Sequence, residues 1–470
     1  MNQHSRILRG SARAATGLVV VGVCAVSVFA LSTVELPSIE RAPIALTVDT
    51  EQNTDRSFVC AGAFAELGAD PAQPGAAVPT GTPGVRATGA SDDRATLKRT
   101  GGGKGDPSVF TVPSAEPFAA AQVQRVETES LRGVVASACA TPTNEQWLIG
   151  GGTTLGVSTT LSLGNPGAVP ATVGITVFDE DGQVDAVRTA GVLVGPGMEQ
   201  TISLNGYAPD RERLAVRVES TGAPVTASLG VGQTTGIQPF AISSVDRQTE
   251  AATSLVIPGV SNTSSDPHGP SDAAEEEAHD GDEIPVLVRA MAPGGESGSA
   301  RVFALDGNGK RTELGTVEVA DHAVGELRVK HWPEKATAVV VESDVPVIAG
   351  ALGSTTTSAG HDNEWFAPAP ESPAAVPFAA PVVDKGRLVV ANLSEADAEL
   401  EIAPADGKGK ARKVTIEAGS SSVVRAPSDA LITSSAPVHA AVRYLNGADI
   451  AGYPILPAEG REGKLAVYPR

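Results

Sequence analysis

The 470-residue chain has few aromatic rings, little basic charge and almost no cysteine. Aromatics are 4% of its residues, so any cores must be filled by small aliphatic side chains. After the N-terminus no sustained 3.6-residue apolar period appears, which excludes a helical solenoid. Lys and Arg number 35 against 55 Asp and Glu, a net charge of −20. Nucleic acid, whose phosphates demand a basic surface, is therefore not an expected partner. Seven histidines are scattered, and no cysteine–histidine cluster has zinc spacing, so no metal site is expected. Catalytic signatures are missing as well: Gly295-Glu-Ser-Gly298 closes one position too early for a nucleophile elbow. The run Gly101-Gly-Gly-Lys-Gly105 lacks the spacing of a phosphate loop. The expectation is a protein without enzymatic activity or cofactor.

What the chain does contain is Val, Ala, Thr, Gly and Pro in quantity, the composition of short strands and many turns. A unit occurs three times: Thr221-Gly-Ala-Pro224-Val225-Thr-Ala227, Ser343-Asp-Val-Pro346-Val347-Ile-Ala349 and Ser434-Ser-Ala-Pro437-Val438-His-Ala440. Proline fixes φ and a nearby hydroxyl can bond the backbone, so each copy reads as a turn between two strands. Period 2 puts Val225 with Ala227, Val347 with Ala349 and Val438 with Ala440 on inward faces. Thr226, Ile348 and His439 are then expected at outward or inter-sheet positions. Upstream of the copies lie the hairpin signals Asp181-Gly182, Asp306-Gly307 and Asp406-Gly407, with strand runs between. The grammar is that of an all-β protein: tandem antiparallel β-sandwiches of immunoglobulin or fibronectin type, strung on one axis as a rod.

The domain layout follows. Arg6, Arg9 and Arg13 precede an uncharged apolar run near the length that spans a bilayer, about 20 residues. Residues 1–34 therefore read as a signal anchor or, given the small residues Ala30 and Ser32, a cleaved signal peptide. A first sandwich with N-terminal strands is placed at 41–250, carrying a disordered Gly/Pro-rich insert at 68–108. An acidic linker occupies 251–285, a second sandwich 286–370 and a third 371–470, with Ala367-Pro-Ala-Pro-Glu-Ser-Pro373 a stiff connector. Outside the apolar run two cysteines remain, Cys60 and Cys139, and an even pair in an exported chain reads as a disulfide.

Leu131-Arg-Gly133, Cys139 with Pro142, Trp147 with Gly150-Gly151, and Leu163-Gly-Asn165-Pro166 before an Asp-Gly turn form one passage. With the upstream Val59-Cys60, it resembles a family of actinobacterial exported, membrane-anchored proteins catalogued only as a domain of unknown function. Where such proteins often follow the cysteine with Pro-Gly, this chain has Ala61-Gly62. The resemblance implies an envelope protein and brings no catalytic residues.

Candidate sites are few. Trp147 ahead of Gly150, Gly151 and Gly152 has the composition of a sugar-stacking platform or of a core tryptophan at a strand end. His361-Asp-Asn-Glu364-Trp365 gathers ligand types, but extended spacing splays them, and an exposed loop is expected there. Asp179-Glu-Asp181-Gly182 reads as a turn, not a calcium loop. Asn262-Thr-Ser264 and Asn392-Leu-Ser394 are glycosylation triplets of low specificity. The function expected is a non-enzymatic extracytoplasmic spacer and interaction module, on the plasma membrane through its N-terminal helix or secreted if cleaved. The alternative is a glycan-binding accessory protein for cell-wall or capsular polysaccharide, with envelope glycan or another envelope protein as partner.

Overall fold

The computed structural model describes residues 55–456 apart from 68–71, 73–76, 92, 103, 114–115, 185–188, 265–283 and 359. It also describes 46–49, 464–467 and residues 19, 21–23, 25 and 26. The last six are helical, and among the described residues no helix is long and apolar enough to cross a membrane. The rest of the expected anchor and the acidic run 266–283 lie outside the described residues. The chain forms two compact units. In the smaller, Leu46–Asp49 pairs antiparallel with Lys464–Val467. The larger, Asn53–Gly460, is all-β, as the composition requires.

Among the described residues the larger unit holds four two-sheet sandwiches rather than three. The additional one is N-terminal. Asp55–Val59, Ser108–Pro113 and Asp93–Thr96 form one sheet, and Arg132–Ala138, Ala119–Glu127 and Gly84–Thr88 the other. Phe58, Phe110, Val112 and Phe118 fill its core around the bond between Cys60 and Cys139, whose Cα atoms are 4.0 Å apart. This corrects the expected insert at 68–108, which supplies two strands here. Its composition looked disordered because Gly84–Thr88 and Asp93–Thr96 bury almost nothing except Thr88 and are held by backbone ladders.

In the first sandwich, a sheet containing Glu145–Ile149, Ala171–Asp179 and Ala215–Gly222 packs on one built from Val157–Asn165, Met198–Ser203, Thr226–Thr235 and Gln238–Val245. The second is organised on one 22-residue strand, Ala336–Thr357, whose N-terminal half pairs with Gly298–Asp306 and whose C-terminal half pairs with Leu287–Met291. Ala252–Pro258 and Asn262–Ser264 also pair with it, so the middle sandwich begins inside the segment expected as linker. Four apolar residues, Leu255 to Pro258, supply enough burial to dock there. Ala369 of the proline connector is likewise docked, its N–H donating to Val256 O at 2.9 Å. The third sandwich pairs Gly386–Asn392 with Val438–Asn446 in one sheet and Ala398–Pro404 with Asp429–Ser434 in the other.

The repeated proline marks the same structural event each time: the chain leaves one sheet and enters the facing one. Ala215–Gly222 passes through Pro224 into Thr226–Thr235, and Asp429–Ser434 through Pro437 into Val438–Asn446. In the middle copy the strand runs on through Pro346 and only its partners change. Val225, Val347 and Val438 are each fully buried. Thr226 and Ile348 are buried too, and His439 Nδ1 donates to Ala369 O at 2.8 Å, because neighbouring sandwiches cover the outer faces. A second shared corner uses asparagine. Asn165 Nδ2 donates to Val169 O and Val194 O, and Asn392 Nδ2 to Ala396 O and Ile416 O. The Asn392 amide is thus spent inside the fold, where no glycan could be attached.

The sandwiches do not string into a rod. Phe64, Leu131 and Val135 meet Ile242 between the N-terminal and first sandwiches, and Trp147 and Phe178 meet Met291 and Val324 between first and second. Phe303 and Val340 meet Ala391 between second and third, and Ala121, Val134 and Ala136 join the third core. The last contact returns to the N-terminal sandwich. The four close a ring.

Candidate functional site: the four-strand junction

At the centre of the ring each sandwich contributes one edge strand: Arg132–Ala138, Gln238–Val245, Gly360–Phe366 and Asp449–Pro454. No ladder joins them to one another. An edge strand taken out of water must still satisfy its N–H groups. Here carboxylates do so. Asp362 Oδ2 accepts from Val134 N at 3.0 Å and Ile450 N at 3.3 Å. Its Oδ1 accepts from Asn363 N at 3.1 Å and Ile242 N at 3.4 Å. One side chain therefore holds backbone from all four sandwiches. Gly133 lies against it with φ 145°, and a Cβ there would collide with the carboxylate.

Two further acids extend the junction. Glu364 Oε1 accepts from Ser244 N at 2.8 Å, and Asp246 Oδ2 from Ala138 N at 3.3 Å. Burial pushes all three carboxyls up, against the pull of the N–H donors. Asp246 reaches about 7, and Glu364 is raised further by the charges of Asp362 and Asp246. His361, stacked on Phe240 at 4.2 Å, is pushed down to about 4 by burial. The segment expected as an exposed loop is in fact a buried strand. Asp362 and Glu364 point at neighbouring backbone, while Asn363 Nδ2 donates to Gln233 Oε1 at 2.7 Å and His361 Nδ1 meets Thr356 Oγ1 at 2.9 Å.

Trp147 is 6% exposed. Phe178 lies 5.7 Å from its ring and the Arg217 guanidinium 5.4 Å, so neither face is open to a ligand. The glycines after it serve close approach. Gly150 lies against Trp365 and Val245, and Gly151, φ 74°, against Thr159. Gly152 packs on the backbone of Arg211 and Glu212. The buried Arg289 donates to Gly151 O and, at 3.0 Å, to Glu212 O; it pairs with Glu326 at 2.8 Å and sits 4.6 Å over Trp365. Burial lowers its pKa, with Glu326 opposing. Asp179, expected in a turn, makes an ion pair with Arg211 at 3.0 Å.

Glutamines give the same service as the acids, and sequence reasoning missed them. Gln122 accepts from Gly62 N at 2.9 Å and donates to Gly62 O at 2.8 Å. Gln146 bridges Val225 O and Ala227 N, and Gln248 bridges Ala349 O and Ala349 N. The signal was their place on strands whose other residues are apolar. As for chemistry, Asp362 and Glu364 are 1% and 0% exposed, and no substrate reaches them. Asp246 borders a cavity of about 20 Å³, beside Cys60, Glu199 and Arg247, which is room for a water and not for a substrate. Among the described residues no group of three or more His, Cys, Asp or Glu is placed to hold a metal ion.

A family model matches residues 103–427, well over half of the chain, and its family is one of unknown function. The chain belongs to DUF5719. No curated protein matches it. The DUF5719 span takes in three of the junction strands, the Trp147 passage and Cys139, and begins after Cys60. The resemblance drawn from Leu131 to the Asp-Gly turn falls inside it.

Proposed function

We propose that the protein is a non-enzymatic extracytoplasmic scaffold of the cell envelope, tethered through residues 1–34. It presents a rigid ring of sandwiches to other envelope components. The observation that carries this reading is the junction: one buried carboxylate fixes four sandwiches to each other, and its chemistry is consumed in doing so. A chain that spends its buried polar groups on mutual orientation is built to hold a shape. The buried disulfide supports an oxidising compartment, because such bonds persist where thiols are not kept reduced.

Intact cells that make the protein provide the test. Cys60 and Cys139 should resist a membrane-permeant maleimide until reductant is added, and added protease should reach the chain without lysis. Free thiols in the cell would refute the location. For the absence of catalysis, Asp246→Asn should fully complement a deletion strain. Failure to complement at normal protein level would mean that this carboxyl does chemistry.

A further inference from the structure

The outer faces of Val157–Asn165 and Thr226–Thr235 carry small residues, and the N-terminal sandwich plugs into them. Leu97 and Val59 approach Gly164, Phe64 approaches Gly230, and Leu131 approaches Gly232. Past Leu131 nothing among the described residues fills the seam, and a cavity of about 210 Å³ opens to solvent. Its walls carry the Glu66 carboxylate, the hydroxyls of Ser130, Ser158 and Thr234, and the aliphatic surfaces of Leu131 and Val157.

The polar groups there have capacity to spare. Glu66 is 9% exposed, and its Oε1 accepts from Ser130 Oγ, so the carboxylate, with about four lone-pair sites, keeps acceptor capacity to spare. Ser158 Oγ and Thr234 Oγ1 donate to Gly232 O and Gly156 O at 3.4 Å each, long bonds that a ligand oxygen can replace. Leu155 and Ile237 stand on the two turns beside the mouth, 103% and 88% exposed. Those turns are tied together by Thr234 N donating to Gly156 O at 2.8 Å.

We propose that this cavity binds a neutral pyranose unit of an extracytoplasmic glycan. A negatively charged ligand would meet the carboxylate with no cation among the lining residues. An alkyl chain would cover the Glu66 carboxylate without offering it a donor and would leave the Ser158 and Thr234 hydroxyls on their long bonds unimproved. A neutral ring answers both walls: its hydroxyls donate to Glu66 and exchange bonds with the three side-chain hydroxyls, while its C–H face rests on Leu131 and Val157. Leu155 and Ile237 then contact the next unit of the chain. This inference takes its extracytoplasmic setting from the proposed location, while the sugar site itself rests on a surface cavity and not on the junction.

The test is saturation-transfer NMR on the full-length chain with D-glucose, D-galactose, D-mannose, L-rhamnose and N-acetyl-D-glucosamine, each on the order of the millimolar Kd that so small a contact supports. At least one sugar should receive saturation on its ring protons. Ser158→Tyr, which fills the cavity, should abolish it, and Glu66→Gln should weaken it about tenfold. Val423→Ser, on an exposed strand of the third sandwich, should leave it unchanged. Thr234→Tyr, at the rim, repeats the filling experiment should Ser158→Tyr lower the thermal midpoint. Absence of transfer to all five sugars, or transfer that survives both filling variants, overturns the proposal.

Discussion

Replacing Asp362 tests the junction at its centre. Its two oxygens offer about four lone-pair sites, and four backbone N–H groups use them, at 3.0, 3.1, 3.3 and 3.4 Å. Asp362→Asn keeps one oxygen and turns an NH₂ toward two of the donors, so two buried N–H groups lose their acceptor. At about 1–3 kcal/mol for each unsatisfied buried group, the cost is roughly 2–6 kcal/mol. Asp362→Ala strands all four and should cost more, even if water enters the space. Urea unfolding reads the total. Hydrogen exchange reads the mechanism, because Val134, Ile242 and Ile450 are 88 to 228 residues from Asp362 in sequence and sit in three different sandwiches. Amides of all three strands should exchange faster together. Faster exchange confined to 360–366, or a loss of stability below about 1 kcal/mol, would show that Asp362 does not join the sandwiches.

Further perturbations test the surrounding structure. Val347→Asp places an unpaired carboxylate in the core of the second sandwich and should cost several kcal/mol, enough to lose its near-native circular dichroism, whereas Val423→Asp at an exposed position should do little. Removing the bond with Cys60→Ser and Cys139→Ser, across a separation of 79 residues, should lower stability by on the order of 4 kcal/mol in denaturant titrations. Burial holds the folded Asp246 carboxyl at about 7, above its unfolded value, so its neutral form is the one that suits the fold. Asp246 should therefore contribute stability that is fully present below about pH 4 and falls as pH rises toward 7, by up to roughly 4 kcal/mol, and Asp246→Asn should reduce the slope by that share, Asp362 and Glu364 keeping theirs. A slope of the opposite sign, or one undiminished in the variant, would refute the assignment.

Much of the fold was legible because its signals are local. Period-2 alternation placed Val225, Val347 and Val438 inward, and all three are buried. The hydroxyl–proline pattern marked the three places where the chain changes sheet, two of them at turns and the middle one inside a continuous strand, and the cysteine pair is bonded. What the residues did not reveal was the ring. Thr226 and Ile348 looked outward-facing by the same alternation, but an alternation fixes only which sheet face a residue occupies, not what covers that face. Gly84–Thr88 looked disordered because an edge strand with a solvated face needs little apolar content. His361 to Trp365 looked like a loop because four polar types in a row argue against burial. That rule fails where the polar atoms meet backbone donors instead of water. Trp147 was legible as an aromatic near glycines, but the partners that close its faces, Phe178 and Arg217, come from strands 31 and 70 residues away.

The ring also explains why its glue is carboxylate and amide. Four sandwiches meeting at one point bring together four edge strands, each with a row of unpaired N–H and C=O groups. Joining them by ladders would merge the sheets and dictate a shared twist. A side chain satisfies the same groups at whatever angle the strands arrive. Acids serve where N–H groups converge, as at Asp362 and Glu364, or where one edge N–H lacks an acceptor, as at Asp246. Glutamine serves where a donor and an acceptor lie side by side, since its amide offers one of each; Gln122 at Gly62 and Gln248 at Ala349 do this. The price falls on the acids, whose burial raises them toward protonation. An apolar junction would avoid that cost but could slip, since apolar contacts fix no direction. Directional bonds at the centre hold each sandwich at one angle to the others, which is what a scaffold requires of its joints.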